Sequence, residues 1–258
     1  MPTTCLIDFT GKGTPNPVWH AADILIFTKS TRLTMAPEGL EQIERLPEET
    51  KLKELEQMAK TIPSSWEFVD LTFLFSGVTR ACAQQITRTR NASYSMQSQR
   101  IVDMSDAVVT NPFPHPALHG EAPISVQSYK LCKTFQHYSD TALKGYQALI
   151  EQGADAQDAR GLLPMNTQCN LVAKYNLRAF VELVRSRSSL RTQQEYAQIV
   201  TQAVDCAKAV WPWITLFLKN PKDEAIKDLE AIAKELGVVP GTGAGWRIAK
   251  ALDMLRKA

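Results

Sequence analysis

The sequence predicts an α+β fold that is mostly helical, with a small sheet and long helices, in one domain covering residues 1–258. Apolar residues recur at the three-to-four spacing of amphipathic helices over much of the chain. Two short runs rich in β-branched and aromatic residues predict strands. No internal repeat, low-complexity tract or linker divides the 258 residues, and a chain of this length can bury roughly three quarters of its unfolded surface.

The first predicted strand is residues 18–29 (VWHAADILIFTK), a run with β-branched and aromatic residues between Pro17 and Ser30. The second is residues 66–75 (WEFVDLTFLF). Because this run is almost continuously apolar, we expect the second strand to be buried on both faces.

Helices are predicted for most of the remaining chain. Leucines, isoleucine and methionine recur among Glu and Lys over residues 37–62, and Pro47 is expected to divide this segment into two helices. A long helix at 125–152 should end at Gly153. Further helices are predicted at 156–159, 166–187, 192–218 and 221–236. Residues 77–89 are compatible with a helix, residues 90–100 are too polar for an assignment, and residues 110–120, with three prolines, predict a loop.

Composition excludes several classes of protein. Lys+Arg is 29 and Asp+Glu is 27, for a net charge of +2, which matches neither a polycation nor an acidic disordered tail. The most apolar stretch, residues 210–218, is too short to span a bilayer, and no basic region precedes a long apolar run at the N-terminus. The five cysteines include no CxxC pair. We therefore predict a cytoplasmic protein without membrane contact.

No metal site is predicted. His115 and His119 are four residues apart, but Pro116 prevents a helix from presenting them together.

Arginine is concentrated in two windows. Residues 71–102 contain no Asp or Glu, and residues 174–191 contain only Glu182 as an acid. Arginine makes planar, bidentate contacts with phosphate, so the windows predict a phosphate-bearing ligand. A nucleic acid and a basic surface with no specific ligand are the alternatives. Nucleic acid is less favoured because the clusters are short and Tyr94 is the only aromatic residue near the first. The basic residues of the two windows are Arg80, Arg88, Arg90, Arg100, Lys174, Arg178, Arg185, Arg187 and Arg191.

The first window resembles the signature of the flavin-dependent thymidylate synthases, RHRx7S. Arg88-Thr89-Arg90 is followed after seven residues by Ser98, and the whole stretch RTRNASYSMQSQR is similar to the family's RHRxASxNExSxRY. Gln85 stands at the glutamine of the family's RQxxRHR run.

Two further elements resemble the same family in the same order, and the resemblance covers roughly residues 66–215. They are the family's R…LP pair, matched by Arg160, Leu163 and Pro164, and its NxRxxxxFLxxRxxxxAQxE run, matched by Asn176, Arg178, Arg187, Gln193 and Glu195.

The resemblance implies a methyltransferase of nucleotide biosynthesis. Such an enzyme binds FAD, takes a hydride from NADPH, and transfers a one-carbon unit from methylenetetrahydrofolate to C5 of a deoxypyrimidine monophosphate, converting dUMP to dTMP. It also implies a homotetramer whose sites are shared between subunits, with no nucleic-acid partner.

The match assigns a role to each residue. Arg187 is the catalytic residue, since a cation beside the pyrimidine favours its N3-deprotonated form. The residues that bind the nucleotide are Gln85, Arg88, Gln97, Ser98, Gln99, Arg100, Arg160 and Arg187. The residues that bind FAD are Arg88, Thr89, Arg90, Met96, Asn176 and Arg178.

The sequence departs from the family pattern at several positions. Thr89 replaces the histidine of RHR, Met96 replaces an acidic residue, and TIPSSWEF (residues 61–68) lacks the histidines of the family's HxTPFEH run. These departures leave three readings open: a divergent thymidylate synthase, a dUMP or dCMP hydroxymethylase or dCMP methylase on the same scaffold, and an inactive nucleotide- or nucleic-acid-binding homologue. Arg187 favours uracil, because the N3 of cytosine carries no proton to lose.

Overall fold

One antiparallel sheet organises the part of the chain that the computed structural model describes, which is residues 1–29, 37–61, 63–113, 126–187 and 194–219, with 229, 231, 232, 234, 235 and 251. The strands lie in the order β1-β2-β4-β3. They are β1 (Thr3–Phe9), β2 (Asp70–Thr79), β3 (Ala92–Met96) and β4 (Gln168–Asn176).

Helices pack around this sheet, so the predicted α+β class with a small sheet is confirmed. The helices are α1 (Pro17–Lys29), α2 (Pro37–Glu44), α3 (Glu48–Thr61), α4 (Arg80–Ile86), α5 (Val126–Glu151), α6 (Ala156–Ala159), α7 (Leu177–Arg187), α8 (Gln194–Val210) and α9 (Thr215–Leu218), with 3-10 turns at Pro63–Phe68, Arg160–Leu162 and Pro212–Ile214. The organisation as a single domain stays a prediction. None of the described helices is both long and apolar enough to cross a membrane.

The main core lies on one face of the sheet. Alternate residues of β2 and β4 are buried, and they pair directly, with Leu71 opposite Tyr175 and Phe73 opposite Ala173. Helices α7 and α8 contribute Phe180 and other fully buried apolar side chains to the same cluster. Since alternate residues of a strand point to opposite faces, the second face of β2 is left partly exposed.

Two predicted elements are wrong in type. Residues 18–29 form helix α1 and not a strand, because Ala21, Ala22, Leu25 and Ile26 are buried at helical spacing. Residues 166–187 were predicted as one helix, but the first part is strand β4, which buries every second residue. The helix begins only after Asn176, whose side-chain oxygen accepts a hydrogen bond from the backbone N–H of Ala179 at 2.8 Å.

The second predicted strand is wrong in its bounds and its burial. Its first residues belong to the 3-10 turn Pro63–Phe68, and β2 continues to Thr79. The helix considered at 77–89 therefore covers only α4, which begins at Arg80. Only one face of β2 is buried. Strand β1 and the edge strand β3, which lies in the segment left unassigned, were not predicted.

Other predictions hold. The division of residues 37–62 at Pro47 and the helices α5 and α6 are confirmed. Gly153 has a φ of +86°, the left-handed conformation that follows many helix ends. The single helix predicted at 192–218 is wrong in its continuity, because α8 ends at Val210 and Trp211 and Pro212 separate it from α9. The segment with His115 and His119 and most of the helix predicted at 221–236 lie outside the described residues.

Candidate functional site

The pairing of β3 with β4 brings the two arginine windows together. Ala92 lies opposite Tyr175 and Met96 lies opposite Leu171. Because the strands are antiparallel, residues 88–91 lie beside the start of α7, and residues 97–100 lie at the opposite end of the strand pair. The two ends are about 13 Å apart, at roughly 3.3 Å per residue. The residues predicted to bind FAD lie at the start of β3, here called the flavin end after that prediction. Those predicted to bind the nucleotide phosphate lie at its other end, here called the nucleotide end, where Met96 also lies.

At the nucleotide end, Gln157 on α6 holds two arginines. Its side-chain oxygen accepts a hydrogen bond from Arg100 Nη2 at 3.2 Å, and its backbone oxygen accepts one from Arg160 Nε at 3.0 Å. Ser98 Oγ accepts a hydrogen bond from the backbone N–H of Arg100 at 3.2 Å. Through Gln157, the structure thus brings Arg160 close to Ser98 and Arg100, which lie about 60 residues earlier in the sequence. This separation exceeds any local-contact pattern.

The neighbouring glutamines are buried or half-buried, and Gln97 makes hydrogen bonds within the fold. Gln97 accepts a hydrogen bond from Arg80 Nη1 on its backbone oxygen at 3.3 Å, and another from the backbone N–H of Asn170 on its side-chain oxygen at 3.1 Å. Gln99 is buried, with 8% of its surface exposed. Gln85 lies on α4 and is half-buried. These side chains shape the end of the strand pair from which Ser98 and Arg100 project.

At the other end of β3, a pocket of about 280 Å³ is lined by Asn91, Asn176, Arg178, Glu67 and Glu182, with Ala179. Arg178 Nη1 lies 2.8 Å from Glu67 Oε1, and Arg178 Nε lies 3.3 Å from Glu182 Oε1. Arg178 donates a hydrogen bond to each carboxylate, and these bonds, chiefly the one to Glu67, raise the pKa of Arg178. The positive charge of Arg178 is therefore already balanced by the carboxylates of Glu67 and Glu182.

The residues before β3 form a tight turn. Asn91 has a φ of +60°, and the backbone oxygen of Thr89 accepts a hydrogen bond from the Tyr94 hydroxyl at 2.9 Å. Arg88 and Arg90, on either side of Thr89, are exposed. Both guanidinium groups are accessible to a ligand at the flavin end.

Arg187 ends α7, a position where the helix dipole favours a cation. Its guanidinium carbon lies 5.0 Å from the centroid of the Tyr196 ring, and its Nε is buried without a hydrogen-bond partner. Tyr196 is 1% exposed. Burial raises the pKa of Tyr196, while nearby Thr89 and Arg187 act in the opposite direction. Arg187 therefore lies close to the first signature segment although it belongs to the second.

The arginines assigned to anionic ligands share one property. Within the described residues, none of them has a carboxylate oxygen within 4.0 Å, in contrast to Arg178. Several arginines without carboxylate partners repel one another when they lie close together. The surplus of positive charge at both ends of β3 therefore indicates a site for anions. These arginines are Arg88, Arg90, Arg100, Arg160 and Arg187.

Residues 6–213 match the family model described as "Thymidylate synthase complementing protein". The chain belongs to this family. The resemblance to flavin-dependent thymidylate synthases that the motifs indicated is thus confirmed.

Curated relatives carry the name flavin-dependent thymidylate synthase. The relative from Haloarcula marismortui is 30% identical over 158 residues, covering 55% of this chain and 64% of the relative. The relative from Halobacterium salinarum is 30% identical over 162 residues, covering 57% and 65%. The one from Clostridium tetani is 26% identical over 210 residues, covering 77% and 81%. The chain thus spans somewhat less than two thirds of the length of the first two relatives.

Sequence reasoning missed three residues that build this member of the thymidylate synthase complementing family. Gln157 and Tyr196 carried no signal, because they belong to no motif and their contacts with Arg100 and Arg187 join different elements of the fold. Glu195 did carry one, since it is the acid of the matched QxE element. Its two oxygens accept hydrogen bonds from the backbone N–H of Thr79 at 2.8 Å and from Thr79 Oγ1 at 2.6 Å. Glu195 thereby ties α8 to the start of α4. Gln193, from the same element, lies outside the described residues.

Proposed function

We propose that this protein is an FAD-dependent enzyme that transfers a one-carbon unit from methylenetetrahydrofolate to C5 of a deoxypyrimidine monophosphate, with dUMP to dTMP as the favoured reaction. One observation carries the proposal: five arginines without carboxylate partners lie at the two ends of β3. They are Arg88, Arg90, Arg100, Arg160 and Arg187. A nucleotide phosphate and a flavin pyrophosphate would supply the missing negative charge.

The nucleotide is proposed to bind with its phosphate at Ser98, Arg100 and Arg160. Arg187 would face the pyrimidine, where its positive charge favours the N3-deprotonated ring. Loss of the N3 proton increases electron density at C5, which is the atom that must attack the methylene carbon. The assignments of Gln85, Gln97 and Gln99 to the nucleotide site, and of Arg88 to both sites, stay predictions.

The residues present fit the anionic part of FAD. Arg88 and Arg90 are exposed and unpaired within the described residues, as a pyrophosphate requires. The neighbouring pocket of about 280 Å³ lies at the low end of ligand sites, which span roughly 300–1,000 Å³, so one chain would hold only part of the molecule. Bound FAD would supply, with NADPH as the source, the hydride that converts the transferred methylene into a methyl group.

We also propose a homotetramer whose subunits complete each other's sites. Large apolar side chains are exposed beside the nucleotide end and on α5, among them Ile101 at 86% and Tyr138 at 68%, and a second copy would cover them. Static light scattering measures the assembly, and a monomeric mass at micromolar concentration would overturn this part. A cytoplasmic location also belongs to the proposal, supported by five cysteines that are free thiols.

Hydroxymethylation is the second candidate. Thr89 stands where the family has a histidine, and its backbone oxygen is occupied by Tyr94, so the surroundings of the flavin end are altered. Methyl transfer needs a hydride at the methylene adduct, whereas hydroxymethyl transfer needs water there and no reductant.

The first experiment records visible absorbance of the purified protein while dUMP and then dCMP are added. A flavin band that shifts with dUMP supports the proposal. Mass spectrometry of the product, with and without NADPH, separates methylation from hydroxymethylation. The matched variants are R187A and R45A, because Arg45, directly after α2, is paired with Glu41 on the exposed surface of the protein. We expect R187A to bind dUMP measurably more weakly than the wild type and R45A to bind it with unchanged affinity. A protein that stays colourless with added FAD would overturn the flavin-dependent reaction.

A further inference from the structure

Arg187 differs from Arg178, near the other end of α7, in what surrounds its guanidinium. Arg178 is bonded to Glu67 and Glu182. The Cζ of Arg187 lies 5.0 Å from the centroid of the Tyr196 ring, and its Nε is buried with no hydrogen-bond acceptor. Among the residues that the structure describes, Arg187 lies over an aromatic face and has no carboxylate oxygen within 4.0 Å.

Tyr196 is held in place independently of Arg187. It lies in the first turn of α8 with 1% of its surface exposed, inside the main core. The preceding residue, Glu195, accepts two hydrogen bonds from Thr79 at 2.8 and 2.6 Å, which fixes this turn against the start of α4. The ring is therefore a rigid surface whose position does not depend on a bound ligand.

Tyr196 presents its ring face to Arg187, whose Cζ lies 5.0 Å from the ring centroid. Arg187 and Thr89 also act on the hydroxyl, since both oppose the effect of burial on the pKa of Tyr196. The hydroxyl is buried and makes no hydrogen bond of ordinary geometry. An aromatic face attracts a guanidinium electrostatically without neutralising its charge. It also leaves the N–H donors at the edge of the planar group available for an acceptor in a ligand. A carboxylate partner, like those of Arg178, would occupy these donors and reduce the positive field.

We infer that Tyr196 is a positioning residue for Arg187: the Tyr196 ring holds the guanidinium in orientation, without a carboxylate partner, for the pyrimidine of a deoxypyrimidine monophosphate. This inference rests on the proposed function. Its consequence is that the aromatic ring at position 196 sets both the affinity for the nucleotide and the ease with which the bound ring loses its N3 proton.

The test is a double-mutant cycle on dUMP affinity, measured by calorimetry with the full chain. The variants are Y196F, Y196L, R187A and R187A/Y196L. Y196L should weaken dUMP binding by about 2- to 30-fold, the range of a cation–π contact from exposed to desolvated surroundings. Y196F keeps the ring and should restore the wild-type affinity. In the R187A background, Y196L should change the affinity no further, because the two residues act through one contact.

A second readout reports the electrostatic effect, which a merely structural role would not move. The ionisation of bound 5-fluoro-dUMP can be followed by fluorine NMR as a function of pH. Y196L should raise the pH at which the bound ring ionises, and Y196F should leave it unchanged. Y175F is the matched control for altering a neighbouring buried phenol, since Tyr175 is also fully buried with an unpartnered hydroxyl. If Y196L does not fold, Y196M replaces it, because methionine fills irregular core space.

The outcomes separate the two proposals. Wild-type protein that binds no dUMP overturns the proposed function and this inference with it. If the wild type binds dUMP and Y196L or Y196M binds it equally tightly, the positioning role alone is overturned. The same holds if the substitution at position 196 weakens binding to the same extent with and without Arg187. Weakening that Y196F rescues and R187A abolishes supports it.

Discussion

A buried ion pair between α1 and α3 gives the sharpest stability prediction. Lys51 Nζ lies 2.6 Å from Asp23 Oδ1, and the two side chains are 3% and 6% exposed. Lys51 Nζ also donates a hydrogen bond to the backbone oxygen of Glu44 at 3.0 Å. Burial raises the pKa of Asp23 even with Lys51 beside it. The change Lys51→Met leaves this carboxyl buried without a counter-charge, which typically costs about 3–5 kcal/mol.

Protonation of Asp23 limits that loss. An ordinary carboxyl has a pKa of about 3.9, and each pH unit corresponds to about 1.4 kcal/mol, so keeping Asp23 neutral at pH 7 costs at most about 4 kcal/mol. At pH 5 the same limit is about 1.5 kcal/mol. In the variant the folded-state pKa of Asp23 is raised, so the folded state binds more protons than the unfolded state. The variant's stability therefore rises as the pH falls toward the unfolded-state pKa.

Urea unfolding followed by circular dichroism, at one protein concentration and at several pH values from 5 to 8, measures this effect. The double variant Asp23→Asn, Lys51→Met should recover most of the loss. Lys53→Met is the matched control, because Lys53 and Glu49 form a surface pair that is 72% and 79% exposed, and it should change stability by less than about 1 kcal/mol. A destabilisation of Lys51→Met that is the same at pH 5 and pH 8 would refute the electrostatic reasoning and attribute the loss to packing.

Three further changes test individual contacts. Glu195→Ala should lower the free energy of unfolding by about 2–6 kcal/mol, because the N–H and hydroxyl of Thr79 each lose a buried acceptor worth about 1–3 kcal/mol. Urea unfolding measures the change, and wild-type stability would show that the contact contributes nothing. Gly77→Ala should lower thermal stability by about 1–2 kcal/mol, since Gly77 has a φ of +67° and the new Cβ would lie 3.4 Å from Gln168 Oε1; an unchanged melting temperature contradicts this. Tyr175→Phe should be neutral or stabilising, because it removes a buried hydroxyl without a partner, and a loss above about 1 kcal/mol in urea unfolding would imply a partner.

The sequence indicated the family and the helices with strong amphipathic patterns, but it did not separate strand from helix in two segments. The strand β4 buries Cys169, Leu171, Ala173 and Tyr175 alternately, so the period-two signal was present in the sequence and the helical interpretation overrode it. In residues 18–29 the β-branched and aromatic content favoured a strand, whereas the burial of Ala22 and Ile26 follows helical spacing.

The site could be predicted only where its residues belong to motifs. The spacing of Arg88 and Ser98 and the run that contains Arg187 are local patterns, which a sequence displays directly. Contacts such as those of Gln157 and Tyr196 depend on elements that meet through the fold, and no local pattern encodes them. The ion pair between Arg178 and Glu67 was also not predicted. Glu67 lies about 110 residues earlier, in a 3-10 turn that the sequence pattern assigns to a strand.

The strand order has a consequence for how the chain is made. The central strands β2 and β4 pair at positions such as Leu71 and Tyr175, about 100 residues apart, and at synthesis rates of roughly 5–20 residues per second β2 waits about 5–20 s for its partner. The earlier strand β1 can pair with the other edge of β2 during that interval, since Cys5 lies opposite Leu74. We therefore expect the β1–β2 pair, with its long insertion, to form an apolar surface before β4 is made, and the arrival of β4 to close the core and bring the second arginine window to the first.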